Sequence, residues 1–171
     1  MLSLADLEAR RNQPEKAQQW LERAIATDER AIPPRFVLTE LLIARNDLEK
    51  AMVSGRDLMN IAPQDPRVIE LMGRIHFANK DPQNAAALFR RAAALNPSAA
   101  NVYLRLGEAL VARARELRLK VIVSSCFESG LGLNQLFHLA GEWAPDQAPG
   151  LDTRRWLAAD LLYATGKPDL S

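Results

Sequence analysis

Small and apolar residues recur along the first two-thirds of this chain at the three-to-four-residue spacing of an amphipathic helix, and the helical stretches themselves repeat. Ala17, Ala51 and Ala85 lie 34 residues apart. Seven positions after them stand Ala24, Leu58 and Ala92; twelve before them stand Ala5, Thr39 and Gly73, and the frame runs on to Gly107. Leu4, Leu38, Met72 and Leu106 precede those in turn. Between the apolar stretches lie Asn12-Gln13-Pro14, Asn46-Asp47 and Lys80-Asp81-Pro82, residues suited to N-caps and first helical turns. Pro33-Pro34, Pro63 and Pro97 close one stretch and open the next. The pattern predicts helices near 2–11, 14–28, 33–45, 47–60, 66–78, 82–94 and 99–117. Two helices per period of this length predict stacked helical hairpins, each too thin to bury its apolar face alone. Met52, Met59, Met72, Leu88 and Phe89 fall on the core side, and Trp20 packs between helices or on the first edge of the stack.

These positions resemble the tetratricopeptide repeat (TPR) family over about residues 1 to 112. The third copy carries the resemblance best, with Gly73, Ala85, Phe89, Ala92 and Pro97 in register. In the second, Thr39 and Gly55 replace the usual small and aromatic residues, and the first copy begins inside its own first helix. The segment AALFRRAAALNPSAANVYLRLGEAL looks like the arrays of large bacterial TPR proteins. The implied fold is mainly α, a TPR-like α-solenoid of about three helical hairpins plus one extra helix. The resemblance further implies a concave groove lined by the first helix of each pair. On the matching positions that groove carries Arg10, Phe36, Glu40, Arg67, Glu70, Arg74, Phe77, Asn101 and Glu108, with Asp6, Ile43 and Leu104 beside them. The implied partner is a protein or peptide, bound as an extended strand or a helix. The Lys/Asn/Arg set that clamps a terminal carboxylate in some members is missing, so chaperone tails are not the expected cargo. His76 is expected in helix packing rather than as a ligand.

The register fails in the fourth copy. Asn101, Tyr103, Leu106 and Gly107 fit, but the next alanine position holds Leu119, followed by KVIVSSCFES. Lys120 to Ser124 is short, apolar and rich in β-branched residues, and reads as a buried strand. After Gly130 and Gly132 come an apolar helix near 131–143, a turn at Ala148-Pro149-Gly150, and a helix near 154–165, which predicts a small α/β tail. The words LVARARELRLKVIVSSCFESGLGLNQLFHLA and APGLDTRRWLAADLL resemble the C-terminal barrel segment of o-succinylbenzoate synthase, in the enolase superfamily, over about residues 108–163. The resemblance implies that Ser124, Ser125, Gly150 and Leu151 derive from a substrate pocket. It does not bring the chemistry: the catalytic lysine pair and three acidic Mg²⁺ ligands belong to earlier strands that have no counterpart here. Lys120 stands at the start of its expected strand, the wrong end for a barrel active site. Glu128 and Asp152 read as cap and loop residues, and the Gly130-Leu131-Gly132 string lacks the third glycine and the lysine of a phosphate loop.

The expected organisation is therefore a repeat part, residues 1–112, and a tail, 113–171, two unrelated pieces joined near 104–112. Composition narrows the function. Twenty-two Lys+Arg against 21 Asp+Glu leave a net charge of +1, without the basic stripe of a nucleic-acid binder. The single cysteine, Cys126, excludes an intrachain disulfide, and with His76 and His138 as the only histidines a zinc site is not expected. Neither a secretory leader nor a membrane-length apolar run is present, so the expected setting is cytoplasmic, without a membrane partner. The chain is thus expected to be a non-enzymatic protein- or peptide-binding module with no cofactor and no metal. Two rival readings are a fragment related to o-succinylbenzoate synthase and a scaffold that self-associates through its tail.

Overall fold

The computed structural model describes residues 2–11, 13–123 and 130–147. Among them run eight helices: α1 (Leu2–Arg10), α2 (Pro14–Thr27), α3 (Ile32–Ala44), α4 (Leu48–Ile61), α5 (Pro66–Ala78), α6 (Pro82–Leu95), α7 (Ala100–Glu116) and α8 (Gly130–Trp143). Each coincides, to within a residue at either end, with a stretch that the apolar spacing predicts. The chain divides into two compact units, Met1–Leu110 and Val111–Ser171.

In the first unit, elements adjacent in sequence pack together from α1 through α6, and α3 also meets α5. That is the adjacency of stacked hairpins. Ala17, Ala51 and Ala85, which set the period, are all buried. Their lack of bulk lets neighbouring helices approach closely. Leu21, Leu38, Leu42, Ala51, Met72 and Ile75 form one core cluster. Leu58, Val68 and Leu71 form a second, with Phe36 and Ile43 packed on it. Ile69, Ala85, Phe89, Ala92, Val102 and Ala109 form a third. Trp20 is half-buried against the first cluster, and the Arg23 guanidinium lies 5.0 Å from its ring centroid.

The irregular second copy has a packing explanation. In the third, Gly73 faces the Phe89 ring so closely that a Cβ would sit 2.6 Å from a ring carbon. One period earlier the corresponding residues are Thr39 and Gly55. Here the ring is gone, and Met72 and Ile75 occupy the space over Gly55. Thr39 supplies the bulk instead. Its buried hydroxyl donates to the Arg35 carbonyl at 2.8 Å and shares a 2.7 Å hydrogen bond with Ser54 Oγ. Volume has moved from one helix of the pair to the other, the kind of exchange that close-packed cores tolerate.

The turns inside the α3–α4 and α5–α6 hairpins follow one rule. The backbone turns left-handed at Asn46 and Lys80, both with φ 58°. Paired hydrogen bonds close α3 and α5: Asp47 N–H to Leu42 O and Asp81 N–H to His76 O, both 2.9 Å, with shorter-range bonds inside them. The aspartate that follows each left-handed residue then caps the next helix, Asp47 accepting from the Lys50 N–H and Asp81 from the Asn84 N–H. α7 stops with the same paired bonds, Leu119 N–H to Ala114 O at 2.8 Å, but later. It has 17 residues where α3 and α5 have 13, about one further turn. Its left-handed stop comes at Arg118, φ 55°, and the next residue is Leu119, which carries no capping oxygen.

Lys120–Val123 corrects the expectation of a buried strand over 120–124. These residues have no regular structure, Lys120 is exposed and Ile122 is 64% exposed. A strand needs a ladder partner for its backbone groups, and no strand is present among the described residues. β-Branched composition does not substitute for one. The helix expected near 131–143 is α8. Its last carbonyls, on Glu142 and Trp143, accept from Arg115 Nη2 at 3.4 and 3.1 Å, a cation at a helix C-terminus. Ser124, Ser125, Cys126, Glu128, Gly150, Leu151, Asp152 and the helix expected near 154–165 lie outside the described residues.

Candidate partner-binding site

The residues expected to line the groove sit on α1, α3, α5 and α7, the first helix of each pair. Asp6, Glu40, Arg74 and Glu108 stand 34 residues apart. The period thus brings successive members of one row to neighbouring helices. Arg74 Nη1 donates to Glu40 Oε1 at 2.8 Å, joining α5 to α3. On the next step Glu70 of α5 accepts from Asn101 Nδ2 at 3.2 Å, and Arg105 Nε of α7 lies 3.3 Å from the same oxygen. Arg10 pairs with Asp6 within α1 at 2.9 Å. Glu108 is half-buried on α7.

Two expected residues are engaged elsewhere. Phe36 packs on Leu58, Val68 and Leu71. Arg67 forks back onto the aspartate that caps its own helix, with Nε and Nη2 at 3.1 and 2.7 Å from the Asp65 oxygens. That contact holds the Asp65 carboxyl below the usual carboxylate range and raises the Arg67 guanidinium further. Phe77, in the last turn of α5, is 37% exposed, and Leu104 and Tyr103 of α7 are also exposed. The face therefore combines charges paired between helices with exposed apolar side chains. His76 is bound locally: its Nδ1 is 3.0 Å from Asp81 Oδ2. Among the described residues no three His, Cys, Asp or Glu side chains converge as a metal site, and no helix is long and apolar enough to cross a membrane.

Arg105 is absent from the expected list. Its signal is its spacing, 35 residues after Glu70, one beyond the period and thus still within reach on the neighbouring helix. A second feature also escapes sequence reading. A cleft of about 900 Å³ opens between α2 and α4, over Leu38 and Leu42 of α3. Arg35 spans its end, donating to Asp57 Oδ2 at 3.0 Å and to the Glu29 carbonyl at 2.8 Å. Nothing in the repeat spacing marks it, because it depends on how far two second helices stand apart.

Comparison with known proteins agrees with this geometry. Residues 66–109 match the tetratricopeptide repeat family model. Among solved structures, the crystal structure of MamA superposes with a TM-score of 0.58 at 17% identity, covering 67% of this chain and 64% of that one. At that identity the likeness concerns the fold. A different similarity covers a smaller part. The o-succinylbenzoate synthase of Vibrio cholerae serotype O1 (strain ATCC 39315 / El Tor Inaba N16961) is 52% identical over 54 residues, 32% of this chain and 16% of that enzyme. The synthase of Haemophilus influenzae is 41% identical over 61 residues, 36% of this chain and 18% of the enzyme. That of Shigella boydii serotype 4 is 38% identical over 80 residues, 42% and 25% respectively. The chain therefore spans a quarter or less of the length of these synthases. It joins helical hairpins of the tetratricopeptide repeat kind to a stretch similar to a minor part of o-succinylbenzoate synthase.

Proposed function

We propose that this chain is a non-enzymatic module that holds a protein or peptide on the face built by α1, α3, α5 and α7. In this reading residues 1–112 are the repeat part and 113–171 a tail without turnover, acting in the cytoplasm with no cofactor. The observation that carries it is the cross-helix charge row, Glu40–Arg74 and Glu70–Arg105, set beside exposed Phe77 and Leu104. Paired charges fix side-chain geometry before a partner arrives, which lowers the ordering cost of binding. The exposed ring and leucine supply apolar anchors of the sort that dominate interface energetics. Affinity for a captured partner should fall about fivefold or more on Phe77→Ala and on Arg74→Ala, since truncating such anchors costs more than about 1 kcal/mol. Unchanged affinity for both variants would remove the face from consideration.

The partial identity to o-succinylbenzoate synthase supports a second reading, an enzyme fragment that retains activity. Incubation with Mg²⁺ and the cyclohexadiene substrate of that enzyme separates the two. Dehydration by the purified chain would overturn the first reading. No turnover, together with a partner sensitive to Phe77, supports it.

A further inference from the structure

The geometry points to head-to-tail self-association, in which the cleft between α2 and α4 of one copy receives the segment 117–122 of another. It uses a face other than the proposed partner groove and stands independently of it.

Two surfaces of the chain are complementary in charge and in polarity. The cleft has an apolar floor, Leu38 and Leu42, and an apolar wall at Val53, which is 60% exposed. Its rim carries Glu22, Glu29, Glu49 and Asp57 against Arg35 and Lys50. Arg35 is taken up by Asp57 and Lys50 by Asp47, so Glu22, Glu29 and Glu49 remain as surplus negative charge. The segment after α7 has the opposite character. Leu117, Leu119 and Ile122 are 51%, 59% and 64% exposed. Three large apolar side chains are thus open to solvent within six residues. Arg118 and Lys120 alternate with them. The nearby Arg113 is paired with Glu116, and Arg115 is held by the α8 carbonyls, which among the described residues leaves Arg118 and Lys120 as surplus positive charge.

Six residues of irregular chain span at most about 20 Å, and the cleft between α2 and α4 offers about 900 Å³. Leucine side chains on the floor and arginine or lysine heads at the glutamate rim would satisfy both halves at once. Since each copy carries one cleft and one segment, the contact is heterologous and can build chains or rings.

Sedimentation velocity of the full chain tests this across concentration and salt. The expected result is mass that rises with concentration and falls as salt rises, because exposed ion pairs are screened over about 10 Å at 0.1 M. Glu22→Arg/Glu49→Arg and, separately, Arg118→Glu/Lys120→Glu should each weaken association about tenfold or more, since opposed like charges cost several kcal/mol. All four positions are exposed, and unchanged far-UV circular dichroism checks that the variants remain folded. Mixing the two variants should restore association, as each reversed surface then meets its complement. A monomer at every concentration, association indifferent to both variants, or a mixture that stays dissociated would each overturn the assignment.

Discussion

Replacing Gly73 by alanine probes a close approach between α5 and α6. A Cβ at Gly73 would meet Phe89 Cε1 at 2.6 Å and Cδ1 at 2.7 Å, so the ring would have to withdraw by about 1 Å to regain ordinary contact. It has no free space to enter. Phe89 is 1% exposed and sits among Ile69, Ala85, Ala92, Val102 and Ala109. Overpacking of this kind costs about 1–3 kcal/mol. Against it stands the gain of about 1 kcal/mol for alanine over glycine inside a helix. The net expectation is a loss centred near about 1 kcal/mol and no larger than about 2 kcal/mol. Gly55→Ala is the control. Its Cβ would meet Met72 Sδ at 2.5 Å and Ile75 Cδ1 at 2.8 Å, atoms of flexible aliphatic side chains rather than of a rigid ring, so the helix gain should offset more of the crowding. Urea unfolding followed by circular dichroism measures both. Trimming the ring in a Gly73→Ala/Phe89→Leu double variant should recover part of the loss. A Gly73→Ala protein as stable as the wild type, or a Gly55→Ala protein that loses more, would refute the packing argument.

Other expectations follow from the caps and the buried hydroxyl pair. Lys80→Gly should stabilise the protein by up to about 1 kcal/mol, because a left-handed non-glycine residue costs about 1–2 kcal/mol and glycine loses about half of that gain to unfolded-state entropy; the urea midpoint reports it. Thr39→Val keeps the shape but leaves Ser54 without its partner in a buried site, and should cost about 1–3 kcal/mol by the same assay. The pH dependence has a definite sign. Asp47, Asp65 and Asp81 are lowered, chiefly by the side chains of Lys50, Arg67 and Asn84 respectively, with His76 a further cause at Asp81. Depressed folded-state values mean that their stabilisation is complete above the unfolded carboxylate range, about pH 4, and is lost as pH falls through the lowered values. Unfolding midpoints should hold steady from pH 7 to about 5 and drop below about 4, and asparagine at the three positions should flatten that drop.

The helices were legible because their signals are local. Apolar spacing, proline at first turns and the Asn46-Asp47 and Lys80-Asp81 junctions each act over a few residues, and the period repeats them. Thr39 and Gly55 looked like a weak copy because bulk can be exchanged between helices, and a motif read position by position does not see volume. The Lys120–Val123 stretch misled for the opposite reason. Its residues favour strands, but pairing is a property of a neighbour, not of composition. Glu40 and Arg74 stand one period apart, which is why their ion pair links α3 to α5. What spacing cannot supply is which of the expected groove residues turn inward: Phe36 goes to the core, and Arg67 to its own cap. The cleft between α2 and α4 depends on a separation between helices that no single-residue pattern encodes.

The most direct test of the central claim places a photo-crosslinking residue at position 77 or 104, on the face of α5 and α7, and at exposed position 90 on α6, in the cells from which the chain comes. The account predicts polypeptide adducts from positions 77 and 104 that disappear with Arg74→Glu, and none from position 90. Adducts from position 90 alone, or none at 77 and 104, would contradict it.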